Sequence, residues 1–156
     1  MVIVALDVGQ ARIGVAASDE TEVLATPVAT VKRRSDAAAI AAIARIVGER
    51  GAGLVVVGLP VSFDGQLHEQ ARSVQRFAEK LRAALAVPFV YADETLSTVR
   101  AEERLREAGV RSDKIRERID AVAAALILEE YLDLRRRLQA GRPSAASEEF
   151  GDKPLG

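Results

Sequence analysis

Apolar residues along this chain occur in two patterns. Short unbroken apolar runs, such as Val2–Leu6 and Leu54–Val57, are typical of strands buried on both faces of a sheet. Longer segments carry apolar residues at every third or fourth position, which is typical of helices that bury one face. Because the two patterns alternate along most of the chain, the sequence predicts an α/β domain in which helices pack on a sheet.

The predicted elements begin with three strands, and helices and strands then alternate. The predicted strands are residues 2–6, 13–17, 23–31, 54–57 and 87–92. The predicted helices run from the cap at Ser35 and Asp36 to the stop at Gly51, from about Glu69 to Ala86, from Ser97 or Thr98 to about Ala108, and from Ile119 to Leu138. Short turns join the first three strands into an antiparallel meander, with Pro27 best tolerated on an edge, and helical crossovers make the last two strands parallel. The expected fold class is α/β, a mixed five-stranded sheet flanked by helices.

Composition narrows the class of protein and the kind of metal site. The chain has 156 residues, 49% hydrophobic and 29% charged, which is the profile of one globular domain. We assign that domain to residues 1–140 and expect a disordered tail over residues 141–156, where Pro, Ser, Glu and Gly occur without periodicity. With no cysteine and one histidine, any bound metal must use oxygen ligands, which favours Mg²⁺ or Mn²⁺.

Charge and hydropathy bear on partners and location. The formal net charge is −1, whereas nucleic-acid-binding domains are usually basic, so such a role would rest on a local basic patch. No apolar run approaches the roughly 20 residues that span a bilayer, and no basic region precedes the N-terminal apolar run. We therefore expect a cytoplasmic protein without a membrane partner.

Acidic residues stand at the ends of predicted buried strands. Asp7 follows the first strand directly, and Asp93 and Glu94 follow the fifth. Such an acid can be a turn former whose side chain accepts a local backbone hydrogen bond. A charged side chain close to a core is otherwise costly unless a cation, hydrogen bonds or a shifted pKa compensates it. Several acids at such ends favour the cation.

Asp120 is a third acid of this kind. We expect it in the first turn of the last helix, at the start of the apolar face that Ala124, Ile127 and Tyr131 continue. A first-turn acid can also complement the helix dipole, which explains an exposed Asp better than one facing the core. Elements packed on one sheet can bring the three acids to one edge, where like charges repel. Two divalent ions about 4 Å apart relieve that conflict and support phosphodiester hydrolysis.

Several motifs resemble the YqgF/RuvX family, in order and with compatible spacing, over about residues 1–135. They are Leu6-Asp7-Val8-Gly9 with Arg12-Ile13-Gly14-Val15-Ala16 and Ser18-Asp19, Val57-Gly58-Leu59-Pro60 with Asp64-Gly65, Asp93-Glu94 before Leu96-Ser97-Thr98, and Asp120-Ala121 with Ala124, Ile127-Leu128 and Tyr131-Leu132. The resemblance implies an RNase H-like fold, a divalent-metal endonuclease site, and either Holliday junction resolution or maturation of the 5′ end of pre-16S rRNA. RNA processing is the more general proposal for the family, so we favour it; the expected partner is structured RNA or branched DNA.

The resemblance also implies roles for individual residues. Asp7, Glu94 and Asp120 are the catalytic acids that bind Mg²⁺ or Mn²⁺. Asp93 is the alternative to Glu94, because only one of two adjacent side chains at a strand end can readily point at a given site. Arg12 is the basic residue left to contact a substrate phosphate.

The charged segment over residues 100–118 predicts a rim that faces the substrate. Basic residues there are interleaved with acids, and we assign Arg104, Arg111 and Lys114 to substrate binding. The short basic run Lys32-Arg33-Arg34 could also contact phosphates, although such runs are usually solvated ends.

The chain departs from the family pattern at two places. Gln10 and Ala11 stand where the family has a small hydroxyl residue and a basic residue, and Thr95 stands where it has an arginine. These departures favour a rival interpretation, a non-catalytic nucleic-acid-binding or ribosome-associated module on the same fold. Actin-like and sugar-kinase phosphotransferases also begin with a strand, an acid and a Gly turn, but they enclose nucleotide between two such domains. Symmetrical cutting of a four-way junction needs two sites, so the resolvase role predicts a homodimer.

Overall fold

The computed structural model describes residues 1–60, 68–94 and 97–141 of the chain. Within them the strands are β1 (Ile3–Val8), β2 (Arg12–Ser18), β3 (Ala25–Lys32), β4 (Leu54–Pro60) and β5 (Phe89–Glu94). The helices are α1 (Asp36–Glu49), α2 (Glu69–Arg82), α3 (Ser97–Glu107) and α4 (Ser112–Gly141). The Asp64-Gly65 motif, Thr95 and the predicted tail from residue 142 onward lie outside the described residues.

The strand order β3-β2-β1-β4-β5 confirms the predicted mixed five-stranded sheet. β2 pairs antiparallel with β1 and with β3, whereas β4 pairs in parallel with β1 and with β5. Pro27 lies in β3, an edge strand, where a missing N–H is best tolerated. Because β1, β4 and β5 run in the same direction, their carboxyl ends meet at one edge of the sheet. Asp7 and Glu94 both lie at that edge.

Alternating strand residues divide the core between the two faces of the sheet. Val4 and Leu6 of β1 pack with α1 and α2, and we name this side the α1–α2 face. Ile3 and Ala5 pack with α4 residues such as Leu128, and we name this side the α4 face. β1 is thus buried on both sides, as its unbroken apolar run predicts.

The start of α4 differs from the prediction. The helix begins at Ser112, seven residues before the predicted start at Ile119. The apolar pattern misses this part because Ile115 is the one buried residue between positions 112 and 118, where it packs with Ala101 and Leu105 of α3. Although α4 is 30 residues long, neither it nor another helix in the described part of the chain is long and apolar enough to cross a membrane.

The other boundaries differ less from the prediction. β3 begins at Ala25, two residues later than predicted, and α2 ends at Arg82 instead of Ala86. β5 begins at Phe89 and continues through Glu94. The last shift matters for function, because Asp93 and Glu94 then obey strand alternation and point to opposite faces.

Candidate active site

Strand alternation separates the two neighbouring acids of β5. Phe89 and Tyr91 pack on the α1–α2 face, and Asp93 continues that series as an exposed residue. Ala92 packs with the α4 cluster, and Glu94, half-buried, continues that series. Glu94 therefore shares the α4 face with Asp7, whose neighbours two and four positions before it, Ala5 and Ile3, also pack against α4. The structure brings Glu94, not Asp93, to the side of the sheet that carries Asp7.

Gly14 lets α4 approach the sheet beside Asp7. It is the register partner of Asp7 on β2. A Cβ atom added to Gly14 would stand 1.8 Å from the backbone carbonyl oxygen of Asp120. The backbone of α4 thus lies directly on β2 at this point, and only glycine leaves room for it. This close approach brings Asp120 next to the strand that pairs with the Asp7 strand.

Gly58 leaves a space next to Asp7 on β4, the strand that pairs with β1 on the side opposite β2. It follows Val57 of β4, whose parallel register partner Leu6 directly precedes Asp7. A Cβ atom at Gly58 would lie 2.6 Å from Cδ1 of Ile127 and 3.5 Å from Cβ of Glu94. The α4 face thus carries no side chain between Asp7 and Glu94 on the intervening strand. The space above Gly58 thus lies beside both Asp7 and the Cβ atom of Glu94.

Asp120 lies deeper in its helix than the sequence predicts. It stands eight residues after Ser112, about two turns into α4, so it is not a first-turn residue. The influence of the helix dipole falls off within the first turn, and helix capping therefore does not explain this acid. Ala124 and Ile127, predicted on the same face of the helix, are buried against the sheet.

Arg12 is the described partner of Asp120. Its Nε donates to Oδ2 of Asp120 at 2.8 Å, and the two side chains are 45% and 19% exposed. Arg12 alternates with Gly14 and Ala16 along β2, which directs it to the α4 face. A cation of the chain itself therefore holds one of the three acids.

The electrostatic field at this edge acts most strongly on Asp7. Its pKa is raised from an ordinary value of 3.8 to about 7. Burial is the largest cause, because it removes water from the carboxylate, and the negative charges of Glu94 and then Asp120 add to it. Glu94 of β5 and Asp120 of α4 are therefore both close enough to act on Asp7 of β1.

The fit of these residues to a divalent cation can be judged from their chemistry. Carboxylate oxygens are the ligands that Mg²⁺ and Mn²⁺ prefer, and a half-buried acid beside two like charges is stabilised by a cation. In the described ranges no three acidic or histidine side chains already stand close enough to hold one ion, and Oδ2 of Asp120 is taken by Arg12. The donor set fits. Binding of one ion by all three acids requires side-chain movement, and an ion that uses Oδ2 of Asp120 must displace Arg12.

The three residues predicted for the substrate rim have carboxylate partners. Arg104 on α3 donates to both oxygens of Glu129 on α4, at 2.8 and 3.2 Å. Arg111 contacts Asp113 at 3.2 Å, and Lys114 stands 3.7 Å from Glu117. The positive charge of each of these exposed side chains is therefore neutralised by a carboxylate of α4.

The roles of Gly14 and Gly58 were not predicted from the sequence, where both residues served only as parts of motifs. Both are isolated glycines inside otherwise apolar strand patterns. A lone glycine in a strand marks a place where another part of the backbone, or a ligand, approaches closely. That signal was available, but it does not reveal which element approaches.

Solved structures of two resolvases are similar to this chain. "T. thermophilus RuvC in complex with Holliday junction substrate" has a TM-score of 0.52 and 16% identity, over 87% of this chain and 96% of that one. The fowlpox virus resolvase in a complex with Holliday junction DNA has a TM-score of 0.52 and 14% identity, over 85% of this chain and 97% of that one. At these identities the likeness shows the fold alone, and it confirms the expected RNase H-like architecture.

Sequence relatives and a family model cover most of the chain. A protein of Chloroflexus aurantiacus named "Putative pre-16S rRNA nuclease" is 49% identical over 135 residues, 86% of this chain and 88% of that protein. A protein of the same name from Thermosynechococcus vestitus is 44% identical over 146 residues, 90% of this chain and 97% of that protein. The family model described as "RuvX: Holliday junction resolvase" matches residues 1–134. The chain therefore belongs to the RuvX family of nucleases.

Proposed function

We propose that this chain is a divalent-metal-dependent endonuclease that hydrolyses phosphodiester bonds in structured nucleic acid. The observation that carries the proposal is the half-buried Asp7, whose pKa is raised to about 7 by burial, Glu94 and Asp120. Holding Asp7 half-buried beside two further negative charges is costly for a folded protein unless a proton or a cation neutralises it. Membership of the RuvX family supports nucleic acid as the substrate class.

The three acids and Arg12 have distinct roles in this proposal. Asp7, Glu94 and Asp120 hold Mg²⁺ or Mn²⁺. When bound, such ions activate a water and stabilise the charge that develops on the leaving oxygen. Asp7 stands on the core strand β1, beside its register partner Gly14. Arg12 exchanges Asp120 for a substrate phosphate, since a guanidinium binds carboxylate and phosphate with similar geometry.

Pre-16S rRNA is the substrate that we favour, and a Holliday junction is the alternative. The relatives named for pre-16S rRNA are 44% and 49% identical to this chain, whereas the junction resolvases are 14% and 16% identical. The name of the family model keeps the junction as the alternative. That alternative also predicts a homodimer, because two symmetrical cuts need two sites.

We also propose outer contacts to the nucleic-acid backbone, made by Arg104, Arg111 and Lys114. Each of them must exchange a carboxylate partner for a phosphate before it can contribute. The net gain from such an exchange is small at a solvated surface. We therefore assign these residues a weaker role than Arg12.

A non-catalytic nucleic-acid-binding module is the rival function. The contact of Arg12 with Asp120 favours it, because an acid neutralised inside the chain has less need of a cation. The rival predicts nucleic-acid binding that survives loss of Asp7 and that needs no divalent ion.

The test is cleavage of two end-labelled substrates in parallel, a precursor 16S rRNA fragment and a four-way DNA junction, with Mn²⁺, Mg²⁺ or chelator. Asp7→Asn and Glu94→Gln are each expected to reduce cleavage at least about 100-fold, the scale on which a single catalytic group acts. Asp93→Asn is the matched control, because it alters an acid next to Glu94 that points to the opposite face, and it should retain activity. Absence of metal-dependent cleavage of both substrates, with binding intact, would establish the rival.

A further inference from the structure

A small basic cavity opens beside the acid-bearing edge of the sheet. It has a volume of about 320 Å³ and is lined by Ala11, Arg12, Lys32, Arg33 and Arg34, at the ends of β2 and β3. Arg12 belongs both to this cavity and to the ion pair with Asp120. The cavity is therefore one side chain away from Asp120, one of the proposed catalytic acids. We name it the β2–β3 basic cavity.

Arg33 is the one basic residue of the β2–β3 basic cavity, among Lys32, Arg33 and Arg34, whose side chain is fixed by contacts within the described part of the chain. Its backbone N–H donates to the carbonyl oxygen of Ala11 at 2.9 Å, which ties the strand ends together. Its side chain donates to Asp36 at 2.8 Å and to the carbonyl oxygen of Gly9 at 2.9 Å, and it lies 4.6 Å above the ring of Phe77. Arg33 is thus a fixed structural residue. The side chains on either side of it, Lys32 and Arg34, are exposed.

Lys32 and Arg34 carry charges that the described chain does not neutralise. Within residues 1–60, 68–94 and 97–141, neither side chain has an ion pair or a hydrogen bond with a described partner. Lys32 is also the register partner of Arg12, and like charges directly opposite each other in a sheet are destabilising. The nearby acid Asp36 is already held by Arg33 and Lys80. Positive charge accumulates here in a chain whose net charge is −1.

We propose that Lys32 and Arg34, with Arg12, bind a backbone phosphate of the nucleic acid. This inference rests on the proposed function for one point only, namely that the substrate is a nucleic acid. Arg12 stands between the cavity and Asp120, so the phosphate in the cavity is a neighbour of the phosphate that is cut, and it sets the register of the strand on the acids. The site is sequence-independent because it reads charge alone.

The test measures nucleic-acid binding in chelator, where cleavage is switched off, over a series of salt concentrations. The variant Lys32→Gln/Arg34→Gln is compared with the full-length wild-type chain on the four-way DNA junction. The control Arg45→Gln/Arg50→Gln removes the same charge at the end of α1, near the start of β4 and far from the acid-bearing edge. We expect the test variant to bind more weakly. The slope of log affinity against log salt should also fall by about 0.9 for each duplex phosphate that the variant no longer binds.

The outcomes separate this inference from its alternatives and from the nuclease proposal. An unchanged slope in the test variant, or an equal fall in the control, would overturn it. A second experiment compares how far inorganic phosphate and potassium chloride, at equal ionic strength, displace the junction from the protein. If phosphate displaces the junction from wild type more than potassium chloride does, and displaces it less from the test variant, the anion and the nucleic acid share the cavity and the inference is supported; equal displacement from both proteins would overturn it. Because no divalent ion is present, weaker binding by the test variant supports the cavity even if the acids prove inactive. If the test variant keeps the wild-type salt dependence and still cleaves, the cavity proposal is refuted and the nuclease proposal stands.

Discussion

The acid-bearing edge of the sheet and the helical region formed by α3 and the start of α4 are both rich in charge, but they balance it in opposite ways. At the edge, carboxylates from two other elements, Glu94 and Asp120, act on Asp7, and its pKa is raised. In the helical region, the cations Arg104, Arg111 and Lys114 each have a carboxylate partner. At the edge, Asp7 keeps a raised pKa although Arg12 pairs with Asp120, whereas in the helical region each of these cations is paired with a carboxylate.

This difference follows from what positions each side chain. Register and close backbone contacts fix the backbone at the edge, so the repulsion that acts on Asp7 is relieved by a proton, by a cation or by movement of the side chains alone. Long side chains on exposed helix surfaces instead turn toward opposite charges at little cost. Substitutions at the edge should therefore have large effects on stability and ion binding, whereas those in the helical region should have small ones.

Gly14→Ala should have the largest effect. The new Cβ would stand 1.8 Å from the carbonyl oxygen of Asp120. Neither atom can rotate away, because the strand backbone fixes the Cβ and the oxygen belongs to the backbone of α4. α4 must then shift from the sheet, and we expect a loss of more than about 3 kcal/mol in the free energy of unfolding, at the upper end for overpacking. Urea unfolding of the variant measures this loss.

Gly48→Ala is the matched control for Gly14→Ala. Nothing lies within 4 Å of a Cβ atom at Gly48, which is a residue of α1. Alanine should stabilise that helix by about 0.5 to 1 kcal/mol. If the two variants unfolded alike, the close contact between α4 and β2 would not be what holds the edge together.

Asp7→Asn should change how stability depends on pH. The carboxyl group of Asp7 has an ordinary pKa of 3.8 in the unfolded chain and a pKa of about 7 in the folded one. Between these values the folded protein keeps a proton that the unfolded chain has released, so the free energy of unfolding falls as the pH rises from about 4 to about 7. Asparagine removes that loss, and the variant should gain about 2 kcal/mol over wild type by pH 8, after a discount for partial exposure.

Urea unfolding in chelator from pH 4 to pH 8 measures this gain. Mn²⁺ should restore wild-type stability at pH 8 and leave Asp7→Asn unchanged, because the ion replaces the proton on the carboxylate. A difference between the two proteins that stays constant with pH would show that Asp7 is not forced into the field of the other acids.

Arg12→Gln should have a smaller effect, on ion binding. The substitution releases Asp120 from its 2.8 Å contact and removes a positive charge beside the acids. We expect Mn²⁺ to bind about tenfold more tightly in the absence of nucleic acid, which corresponds to about 1.4 kcal/mol. Isothermal titration with Mn²⁺ measures this, and Arg12→Lys, which keeps the charge, should stay close to wild type. Weaker Mn²⁺ binding by Arg12→Gln would mean that Arg12 organises the acids instead of competing for one of them.

How far the sequence predicts this molecule differs between the two regions. The strand patterns predict the sheet and put Asp7 and the Asp93-Glu94 pair at one edge, because parallel connection leaves few choices, and the family resemblance selects Glu94. The contact of Arg12 with Asp120 joins residues 108 positions apart, and the closeness of α4 to Gly14 depends on tertiary packing, so neither could be predicted. The start of α4 was missed for a related reason. A charged helical segment with one buried residue, Ile115, looks polar and irregular in the sequence.

The smallest effect should come from Arg104, and it tests whether the helical region takes part in binding at all. Arg104→Gln breaks a surface contact with Glu129, so it should lower the free energy of unfolding by less than about 1 kcal/mol and weaken nucleic-acid binding less than Lys32→Gln/Arg34→Gln does. Glu129→Gln, in contrast, removes a competing carboxylate and leaves the guanidinium in place. If Arg104 contacts the nucleic-acid backbone, Glu129→Gln should strengthen binding to the same junction about twofold, because phosphate no longer has to displace an acid. If neither variant alters binding, the pair serves only to join α3 to α4, and the nucleic acid is bound at the sheet edge without the helical rim.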